Sequence, residues 1–521
     1  MAEENKPGSV SRRDFLKIAG AGGGGLVIGA VAGSQLFPRA AEGAVLPQKW
    51  DEQADVVVVG AGGGGLAAAI EAANAGRDVL VLEVMSSALE SNTAMCGGVV
   101  MGAGTSIQKQ KGINDSVDEF KKYLAAVGEG FEDKEITNVW AEKAGETVEW
   151  LIQQGVVFPP ENLYVSGLEA NYADVTPPVA RGHTTDAHSG RPISEALYKA
   201  ATDRKVRFLF GTRGTRLVTD AQRRVLGVMA ESQGKPLAVK ARRGVVLATA
   251  GFSRNEDFIK NFMPKMMTGG SFGSQWQQGD GIVMGQAVGA KLVDMWIPQA
   301  ATIGVPTTAK MTPCMVITIW GNPCVMVSQD GKRHFSEDLY YEYLYDKIAE
   351  QPGGFVWAIW DQAVTDLGGE LIAVPAFSKD LSAEVKQGWV KTAATFRELA
   401  TQIGVDPATL EQTMNTYNLE AAAGEDKAFG KKVGLKPVEK APFYAAKTVP
   451  ATCDTAGGLK INTKAEVLDV EGQVIPGLFA TGSTTGGWRG KWYPGSGTAV
   501  SFTVTFGRIA GVNAAALEPW K

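Results

Sequence analysis

A glycine-rich turn near residue 60 has the residue types and the spacing to hold a dinucleotide. Gly60, Gly62 and Gly65 fill a GxGxxG pattern, and Glu83 follows about 20 residues later. Glycines in such a turn let the backbone approach a pyrophosphate closely, and a carboxylate at that spacing accepts hydrogen bonds from ribose hydroxyls. The pattern therefore predicts a bound dinucleotide cofactor.

The elements around this turn must place its glycines between the end of a strand and the start of a helix. Residues 54–59 are a β-branched run typical of a strand buried on both faces. Residues 66–73 are typical of a helix, and residues 78–82 predict a second strand that ends on Glu83. Together these segments predict one βαβ unit of a Rossmann-like parallel sheet.

Two later segments indicate that the chain leaves the nucleotide domain and comes back to it. Each consists of a predicted strand followed by an Ala-Thr pair and a glycine, at residues 244–251 and 477–482. This arrangement favours FAD over NAD, because it delivers a C-terminal segment to the flavin. The loop at residues 91–98 is small, polar and ended by glycine, which suits close packing against an isoalloxazine ring.

The composition excludes several other functions. The chain has 521 residues, of which 45% are hydrophobic, and a formal net charge of −5, so it can bury a large core and lacks the basic surplus of a nucleic-acid binder. Its four cysteines form no CxxC pair, and its three histidines argue against a multi-histidine metal site. We predict no nucleic-acid partner and no metal.

Residues 1–44 have the layout of a twin-arginine export signal. Arg12 and Arg13 precede an apolar, glycine-loaded stretch at residues 18–37, and small residues follow at 41–44. This pathway carries folded proteins, so it suits a protein that takes up its cofactor before export. We predict a periplasmic or other extracytoplasmic protein that meets the membrane only through this signal. A retained N-terminal anchor is the alternative.

The middle of the chain differs in composition and predicts an inserted domain. Residues 301–441 carry several tryptophans and a tyrosine cluster at 340–345, and helices are predicted over 382–403 and 407–423. We interpret this segment as a capping domain that covers the flavin. The predicted organisation is the signal at 1–44, a first part of the FAD-binding domain at 45–300, the capping domain at 301–441 and a C-terminal return at 442–521.

Six motifs in order make the chain resemble the flavoprotein superfamily of fumarate reductases and 3-ketosteroid dehydrogenases, over residues 52–519. The motifs lie at residues 60–83, 249–255, 279–282, 330–337, 455–462 and 477–487, the last continuing at 506–511. The resemblance implies an α/β fold, with a Rossmann-like FAD-binding domain and an inserted α+β capping domain. It also implies that the substrate lies between the two domains and exchanges a hydride with flavin N5.

The resemblance and the glycine-rich segments together predict which residues contact FAD. They are Gly60, Gly62, Gly65 and Glu83 in the first unit, Asn92, Thr93, Cys96, Gly97 and Gly98 in the loop after it, Thr249, Ala250, Gly251 and Asp280 in the middle, and Gly482, Ser483, Gly497, Thr498 and Ala499 near the C-terminus.

Two positions separate this chain from the fumarate reductases that it resembles. Those enzymes hold one substrate carboxylate with a histidine-containing segment, where this chain has Cys453 and Asp454. They hold a second carboxylate with an arginine, where this chain has Tyr493. Asp454 would repel a dianion, so the dicarboxylate interpretation fails on charge.

The segment from Tyr493 to Gly497 reads Tyr-Pro-Gly-Ser-Gly and is similar to a segment of the ketosteroid Δ1-dehydrogenases. The resemblance implies that the Tyr493 hydroxyl and the Gly497 N–H bind a ketone oxygen and stabilise the charge that develops on it. Gly482 and Ser483 stand where those enzymes have Gly-Asn, a departure that leaves a steroid substrate open.

The same resemblance implies that a tyrosine shortly after Glu337 is the general base. Tyr341 matches this position best and Tyr340 is its neighbour, while Tyr172, with Tyr164 as the second choice, is the candidate for a supporting tyrosine. A tyrosine with an ordinary pKa of about 10 must be lowered or hydrogen-bonded to act as a base.

Three hypotheses for the function follow. The first is an exported FAD-dependent oxidoreductase that acts on a C=C or CH–CH bond conjugated to a ketone in an apolar cyclic molecule, and exchanges electrons with a cytochrome or a quinone-linked carrier. The second is a respiratory reductase of an unsaturated carboxylate, for which Arg333 is the candidate substrate-binding arginine. The third is a flavin electron-transfer subunit that needs a partner.

Overall fold

The computed structural model describes residues 46–307, 312–319 and 321–520, and the predicted export signal lies outside them. The strands are β1 (Glu52–Val59), β2 (Val79–Glu83), β3 (Val99–Met101), β4 (Leu163–Tyr164), β5 (Gly182–Thr184), β6 (Arg207–Phe210), β7 (Thr212–Thr219), β8 (Val225–Ser232), β9 (Lys235–Leu247), β10 (Gly270–Ser271), β11 (Leu292–Val293), β12 (Pro298–Gly304), β13 (Cys314–Met315), β14 (Val325–Val327), β15 (Val356–Asp361), β16 (Ala373–Val374), β17 (Val390–Ala393), β18 (Phe443–Thr455), β19 (Gly458–Leu459), β20 (Glu466–Leu468) and β21 (Val474–Ala480).

The helices complete the set of elements. They are α1 (Gly63–Asn74), α2 (Asn92–Met95), α3 (Ser106–Gln110), α4 (Val117–Gly128), α5 (Lys134–Gln153), α6 (Arg191–Asp203), α7 (Glu256–Phe262), α8 (Asp280–Ala287), α9 (Tyr341–Ala349), α10 (Gln362–Thr365), α11 (Ser382–Gln387), α12 (Phe396–Ile403), α13 (Pro407–Ala422) and α14 (Thr498–Ala516). Within the part of the chain that the structure describes, no helix has the length and hydropathy to cross a bilayer.

The first sheet confirms the predicted βαβ unit. Its strands run in the order β20-β21-β9-β1-β2-β6, and β1 pairs in parallel with both β2 and β9. The valines of β1 are almost fully buried, which matches the reading of this run as a strand covered on both faces. β21 pairs in parallel with β9, so the chain does come back to the first sheet near its C-terminus.

Helix α14 packs directly on helix α1 through glycines. A Cβ added at Gly507 would lie 2.3 Å from the carbonyl oxygen of Gly64, and one added at Gly511 would lie 2.2 Å from that of Ala68. The two backbones therefore touch, an approach that glycine permits because it has no Cβ.

A second sheet forms the core of the part of the chain around residues 301–441, predicted to cap the flavin, which we call the capping region. Its strands run in the order β14-β15-β18-β12-β13-β16, with β10 and β17 also paired to β18. In β18, Tyr444 and Ala446 face one hydrophobic cluster, and Phe443 and Ala445 face another, because side chains alternate along a strand. Both faces of this sheet are therefore covered.

The second sheet uses strands from both sides of the predicted insert at 301–441. β12 pairs with β18 so that Pro298 lies opposite Thr455. The short strand β10, at residues 270–271, also pairs with β18 although it precedes the predicted insert. One sheet thus spans both predicted boundaries, because its long central strand belongs to the segment that returns to the first domain. The division into domains stays a prediction.

The helix predicted over 382–403 is interrupted, and that prediction was wrong. Helix α11 ends at Gln387, and the next residue, Gly388, takes the left-handed conformation with φ +78°. Strand β17 then follows before α12 begins. A glycine in this conformation commonly ends a helix. The residues after it form β17, whose backbone pairs with β18. The next helix, α13, begins as predicted, because the Asp406 side chain caps it by accepting from the N–H of Thr409 at 2.8 Å.

Gly511→Ala tests the close packing of α14 on α1. Its new Cβ would meet backbone rather than a movable side chain, so we expect a loss of about 1–3 kcal/mol in the free energy of unfolding despite alanine's better helix propensity. Urea unfolding measures it. The exposed neighbour provides the control, since Val512→Ala should stay within about 0.5 kcal/mol of wild type. Equal midpoints for the two variants would contradict the packing.

Candidate active site

The glycine-rich turn leaves an open helix N-terminus at the edge of the first sheet. Gly62 precedes α1 and has no side chain to cap the helix, whose first N–H, that of Gly63, donates to the Thr93 hydroxyl. The helix N-terminus carries partial positive charge, which favours an anion. Gly60 has φ +106°, and a Cβ there would lie 2.2 Å from the carbonyl oxygen of Ala248. A Cβ at Gly65 would lie 1.9 Å from that of Gly60. Only glycine fits at these two positions, because the turn is packed tightly against neighbouring backbone. A tight turn of this kind is what a dinucleotide-binding βαβ unit requires.

Glu83 ends β2 beside this turn. Its Oε2 accepts from the N–H of Ala61 at 2.6 Å, and its Oε1 accepts from that of Met85 at 2.8 Å. Burial raises the pKa of this carboxyl, and the two backbone hydrogen bonds act in the opposite direction. The carboxyl is thus fixed beside the turn by two backbone N–H groups, and its role in binding the ribose hydroxyls stays a prediction.

The loop after β2 packs against both the turn and the middle of the chain. The Thr93 hydroxyl accepts from the N–H of Gly63 at 3.0 Å, and the Asn92 amide donates to Asp454 at 3.1 Å. The Cys96 thiol donates to the carbonyl of Thr93 at 3.1 Å, and burial raises its pKa. Cys96 is therefore a protonated, packed residue rather than a thiolate.

The two glycines at the end of this loop differ in the space around them: Gly98 is packed against backbone, and Gly97 has open space beside it. A Cβ on Gly98, which has φ +71°, would lie 2.2 Å from the carbonyl oxygen of Ser189, whereas one on Gly97 would meet nothing within 4 Å. Gly97 therefore leaves room for a planar group beside the backbone.

The two predicted returns meet through one threonine. The Thr484 hydroxyl accepts from the N–H of Thr249 at 2.9 Å and donates to the carbonyl of Ala250 at 3.2 Å. The Thr249 hydroxyl accepts from Gly281 at 2.9 Å. This contact joins segments that lie more than two hundred residues apart in the sequence. Ala250 has φ +62°, which marks a sharp turn at the end of β9.

Three further residues among the predicted FAD contacts also have partners within the protein. The Asp280 carboxylate forms a bidentate ion pair with Arg213, with distances of 2.8 and 2.6 Å. The Ser483 hydroxyl donates to Gln299 at 2.7 Å, and the Thr498 hydroxyl points to the sulfur of Met101 at 3.7 Å. Gly482 has φ +66°, where the chain turns from β21 toward α14.

Asp454 lies buried where the two sheets meet. Its Oδ1 accepts from the N–H groups of Gly251 at 3.0 Å and Thr455 at 2.8 Å. Burial raises its pKa to about 7, even though these hydrogen bonds and that of Asn92 favour the ionised form. At neutral pH the carboxyl therefore exists in both protonation states.

The Tyr493 hydroxyl lies at the N-terminus of α14. It accepts from the N–H of Ala499 at 3.0 Å, and Gly497, the residue before the helix, has φ +95°. A Cβ on Gly497 would lie 2.7 Å from the backbone nitrogen of Met101. Burial raises the pKa of the Tyr493 hydroxyl, so it keeps its proton and can donate it to a ligand.

Tyr340 and Tyr341 adjoin Tyr493 from the capping side. Their hydroxyls are 2.7 Å apart, and the Tyr340 hydroxyl is 3.2 Å from the carbonyl oxygen of Tyr493. Burial raises the pKa of both hydroxyls well above the usual value. The structure thus brings together the predicted base and the predicted carbonyl-binding tyrosine, although more than 150 residues separate them in the sequence.

Tyr172 contacts a group of polar residues around Glu129, and its supporting role stays a prediction. Its hydroxyl donates to Glu129 at 3.5 Å, and Glu129 also accepts from Trp492 at 2.8 Å and Lys491 at 2.7 Å. Burial raises the pKa of the Tyr172 hydroxyl. The hydroxyl that contacts Tyr341 is that of Tyr340, and Tyr164 is 40% exposed.

Two buried charged residues of the site were not found from the sequence. Arg489 donates to both carboxylate oxygens of Glu342, at 2.8 and 3.2 Å, and its guanidinium carbon lies 5.6 Å from the ring centroid of Tyr493. Their positions in a glycine-rich loop and in a tyrosine-rich helix carried no signal that they would pair. Arg333, in contrast, is held by Glu337 and Asp426 within the capping region.

Comparisons with known proteins agree with this geometry. The family model described as "FAD binding domain" matches residues 55–500. A probable fumarate reductase, Ifc3, of Shewanella frigidimarina is 31% identical over 472 residues, which cover 89% of this chain and 75% of that protein.

Two solved structures are also similar. The 3-ketosteroid-delta4-(5alpha)-dehydrogenase from Rhodococcus jostii RHA1, in complex with 4-androstene-3,17-dione, is 32% identical with a TM-score of 0.71, and the match covers 91% of this chain and 99% of that one. The open conformation of a flavocytochrome c3 fumarate reductase is 28% identical with a TM-score of 0.74, and the match covers 99% of this chain and 83% of that one.

The chain belongs to the FAD binding domain family. This membership and the similar structures confirm the α/β fold class and FAD as the cofactor. The protein is an FAD-dependent oxidoreductase acting on CH–CH groups, as the sequence predicted. The uncapped start of α1, the buried Glu83 and the open space at Gly97 fit the pyrophosphate, ribose and ring of FAD respectively.

Gly60→Ala tests the cofactor turn. We expect the purified protein to lose most of its FAD, because the new Cβ would collide with the end of β9 and because φ +106° strains any other residue. The ratio of flavin to protein absorbance measures this. Gly76→Ala is the matched control, since Gly76 also has positive φ but its Cβ would meet nothing, and it should keep its FAD.

Asp454→Asn tests the buried carboxyl. Its pKa of about 7 is above its ordinary value of 3.8, so the stability it contributes is complete below about pH 4 and is lost as the pH rises through about 7. We expect the stability of wild type relative to the variant to fall between about pH 5 and pH 8, because asparagine does not ionise. Urea midpoints of both proteins across this range measure it, and parallel curves would contradict the shift.

Proposed function

We propose that this protein adds or removes hydrogen across a carbon–carbon bond conjugated to a ketone, in an apolar cyclic substrate. The observation that carries the proposal is the position of the Tyr493 hydroxyl, which is buried and accepts from the N–H of Ala499 at the start of α14. Because that hydroxyl already accepts from the helix, its own proton is free to be donated to a carbonyl oxygen.

The start of α14 is suited to negative charge on such an oxygen. The helix dipole places partial positive charge there, and Gly497 leads into the first turn without a side chain. Fixed donors in a water-poor site stabilise developing enolate charge more than they stabilise a neutral ketone. Tyr493 and Gly497 together therefore support the carbonyl-binding role predicted for them.

Tyr341 is the candidate for moving a proton at the carbon beside the ketone. Its hydroxyl keeps its proton at neutral pH because burial raises its pKa, which suits donation in the reducing direction. In the oxidising direction the Tyr341 hydroxyl must first release its own proton to solvent, and the tyrosinate oxygen then takes the proton from the substrate carbon. The Tyr340 hydroxyl, which donates to this oxygen at 2.7 Å, stabilises the tyrosinate. Bound FAD supplies or accepts the hydride.

The charges in the site favour a neutral substrate over a carboxylate. Arg489 is already paired with Glu342, and Arg333 with Glu337, so neither guanidinium has a free charge for an anion. Asp454 adds negative charge when it ionises. The second candidate function, reduction of an unsaturated carboxylate, rests on the similarity to fumarate reductases.

The electron partner and the location follow from the N-terminal sequence and the relatives. The twin-arginine pattern of residues 1–44 supports export to an extracytoplasmic compartment. One similar structure is a flavocytochrome, which supports exchange of electrons with a cytochrome or a quinone-linked carrier outside this chain. The third hypothesis, a flavin subunit without a small-molecule substrate, shares this carrier.

Tyr493→Phe tests the carbonyl site. We expect turnover of a ketone substrate to fall about 10²- to 10³-fold, the usual effect of removing one oxyanion donor, while FAD stays bound. Steady-state rates and flavin content measure the two effects. Tyr198→Phe, the same change on α6 where the ring packs on Phe208, should leave turnover unchanged. Turnover within a few-fold of wild type in Tyr493→Phe would remove the proposed role.

An anaerobic titration of the flavin absorbance distinguishes the three functions. The panel contains saturated and unsaturated 3-ketosteroids, simple cyclohexenones, fumarate, urocanate and cinnamate. Bleaching by a saturated ketone, or reoxidation of the reduced protein by an enone, would support the ketone function. Reoxidation by a carboxylate alone would support the second function. If no compound of the panel changes the flavin absorbance, the ketone function and the carboxylate function are both overturned, and the electron-transfer subunit remains.

A further inference from the structure

The peptide of Tyr493 is held by residues at the start of helix α9. The Tyr340 hydroxyl lies 3.2 Å from the carbonyl oxygen of Tyr493, and the N–H of Tyr493 donates to Oε2 of Glu342. Tyr341, the residue between these two, carries the candidate proton-transferring hydroxyl. One short stretch of the capping region thus carries one reacting group and contacts the backbone of the other.

Glu342 is fixed in turn by Arg489. The guanidinium donates to both carboxylate oxygens and also to the carbonyl of Lys491 at 2.8 Å. The side chains of Arg489 and Glu342 are 2% and 1% exposed, so the pair is almost dry. A bidentate, buried arginine–carboxylate pair has one preferred geometry, which makes it a rigid support.

The loop that carries Tyr493 needs such a support. Gly487, Gly490 and Gly497 have φ +88°, +77° and +95°, so this part of the chain is built from residues with wide conformational freedom. Ordering such a loop costs conformational entropy, which contacts outside the loop must offset. Tyr340 and Glu342 provide contacts of this kind, because they lie outside the loop, at the start of α9, and hold the carbonyl and the N–H of Tyr493.

We propose that Glu342 is a positioning residue, held by Arg489, that sets the carbonyl-binding Tyr493 at the correct distance from Tyr341. The inference rests on the proposed carbonyl role of Tyr493. Glu342 acts through the backbone of Tyr493, and a displacement of a reacting group by about 1 Å costs about 10²-fold in rate. The pair therefore couples the position of the proton-transferring group to that of the carbonyl donor.

The test is a double-mutant cycle of Glu342→Gln and Tyr493→Phe in the FAD-loaded protein, with the ketone of the panel that reacts fastest with the flavin. We expect Glu342→Gln to lower the rate constant of flavin reduction or reoxidation about 10- to 100-fold, with the ketone dissociation constant within about threefold. In the Tyr493→Phe background, the same change should lower the rate less than about twofold, because there is no hydroxyl left to position.

Amide hydrogen exchange gives a reading that does not depend on activity. In the Glu342→Gln holoenzyme the amides of residues 488–497 should exchange faster than in wild type, while the flavin content is unchanged. Asp115→Asn is the matched control, because Asp115 is also a fully buried carboxylate held by a bidentate arginine, Arg181. It should lower stability but keep the rate within about threefold of wild type.

Arg489→Lys replaces the first variant if the unpaired arginine prevents folding. It keeps the charges balanced, but a flexible ammonium group lacks the planar fork by which the guanidinium donates to both carboxylate oxygens in one fixed geometry. We expect a fall in rate of about 3- to 10-fold that again disappears in the Tyr493→Phe background.

Each remaining outcome decides a different question. If the effects of Glu342→Gln and Tyr493→Phe multiply, or if Glu342→Gln leaves the rate unchanged, the positioning role is overturned and the carbonyl site stands. If Tyr493→Phe itself has no effect, or if no ketone reacts, the proposed function fails and the inference fails with it.

Discussion

The backbone contact between α1 and α14 is the constraint on which the site depends. Gly507 and Gly511 let α14 lie directly on the helix that begins at the cofactor turn. The first turn of α14 provides the N–H that contacts the Tyr493 hydroxyl. A helix is stiff along its axis, so the packing that places the predicted pyrophosphate-binding turn also fixes the proposed carbonyl donors, Tyr493 and Gly497. A wider separation of the two helices would displace both.

Strand β18 makes the corresponding connection from the capping region. Its first half pairs with β15 and β17, its second half pairs with β12, and its end places Asp454 against Gly251. The capping sheet therefore ends in a direct contact with the first return, at residues 244–251. The buried carboxyls of the site are either paired with arginine, as Glu342 is, or partly protonated, as Asp454 is, so these groups contribute little free charge. This electrostatic balance is the reason why we propose a ketone rather than a dicarboxylate as the substrate.

The predictable parts of the protein were those with a local pattern and a local cause. The β1–α1–β2 unit was correct because buried strands, a glycine turn and a carboxylate at a fixed spacing follow from one short segment. The helix predicted over 382–403 was wrong because β17 gains a partner in β18, and that gain is not visible in the segment itself. The supporting role of Tyr172 stays a prediction, and its hydroxyl contacts Glu129, which also accepts from Trp492.

The sequence by itself determined the cofactor and suggested the candidate chemistry, because the glycine turn with its following carboxylate and the Tyr-Pro-Gly-Ser-Gly segment are each a local pattern that can be recognised without the rest of the fold. Only the tertiary structure decided which groups meet. The pairing of Arg489 with Glu342, the contact of Tyr340 with Tyr341 and Tyr493, and the raised pKa of Asp454 depend on the approach of distant segments and on burial. Distance and desolvation between segments are properties of the folded chain, so no local pattern encodes them.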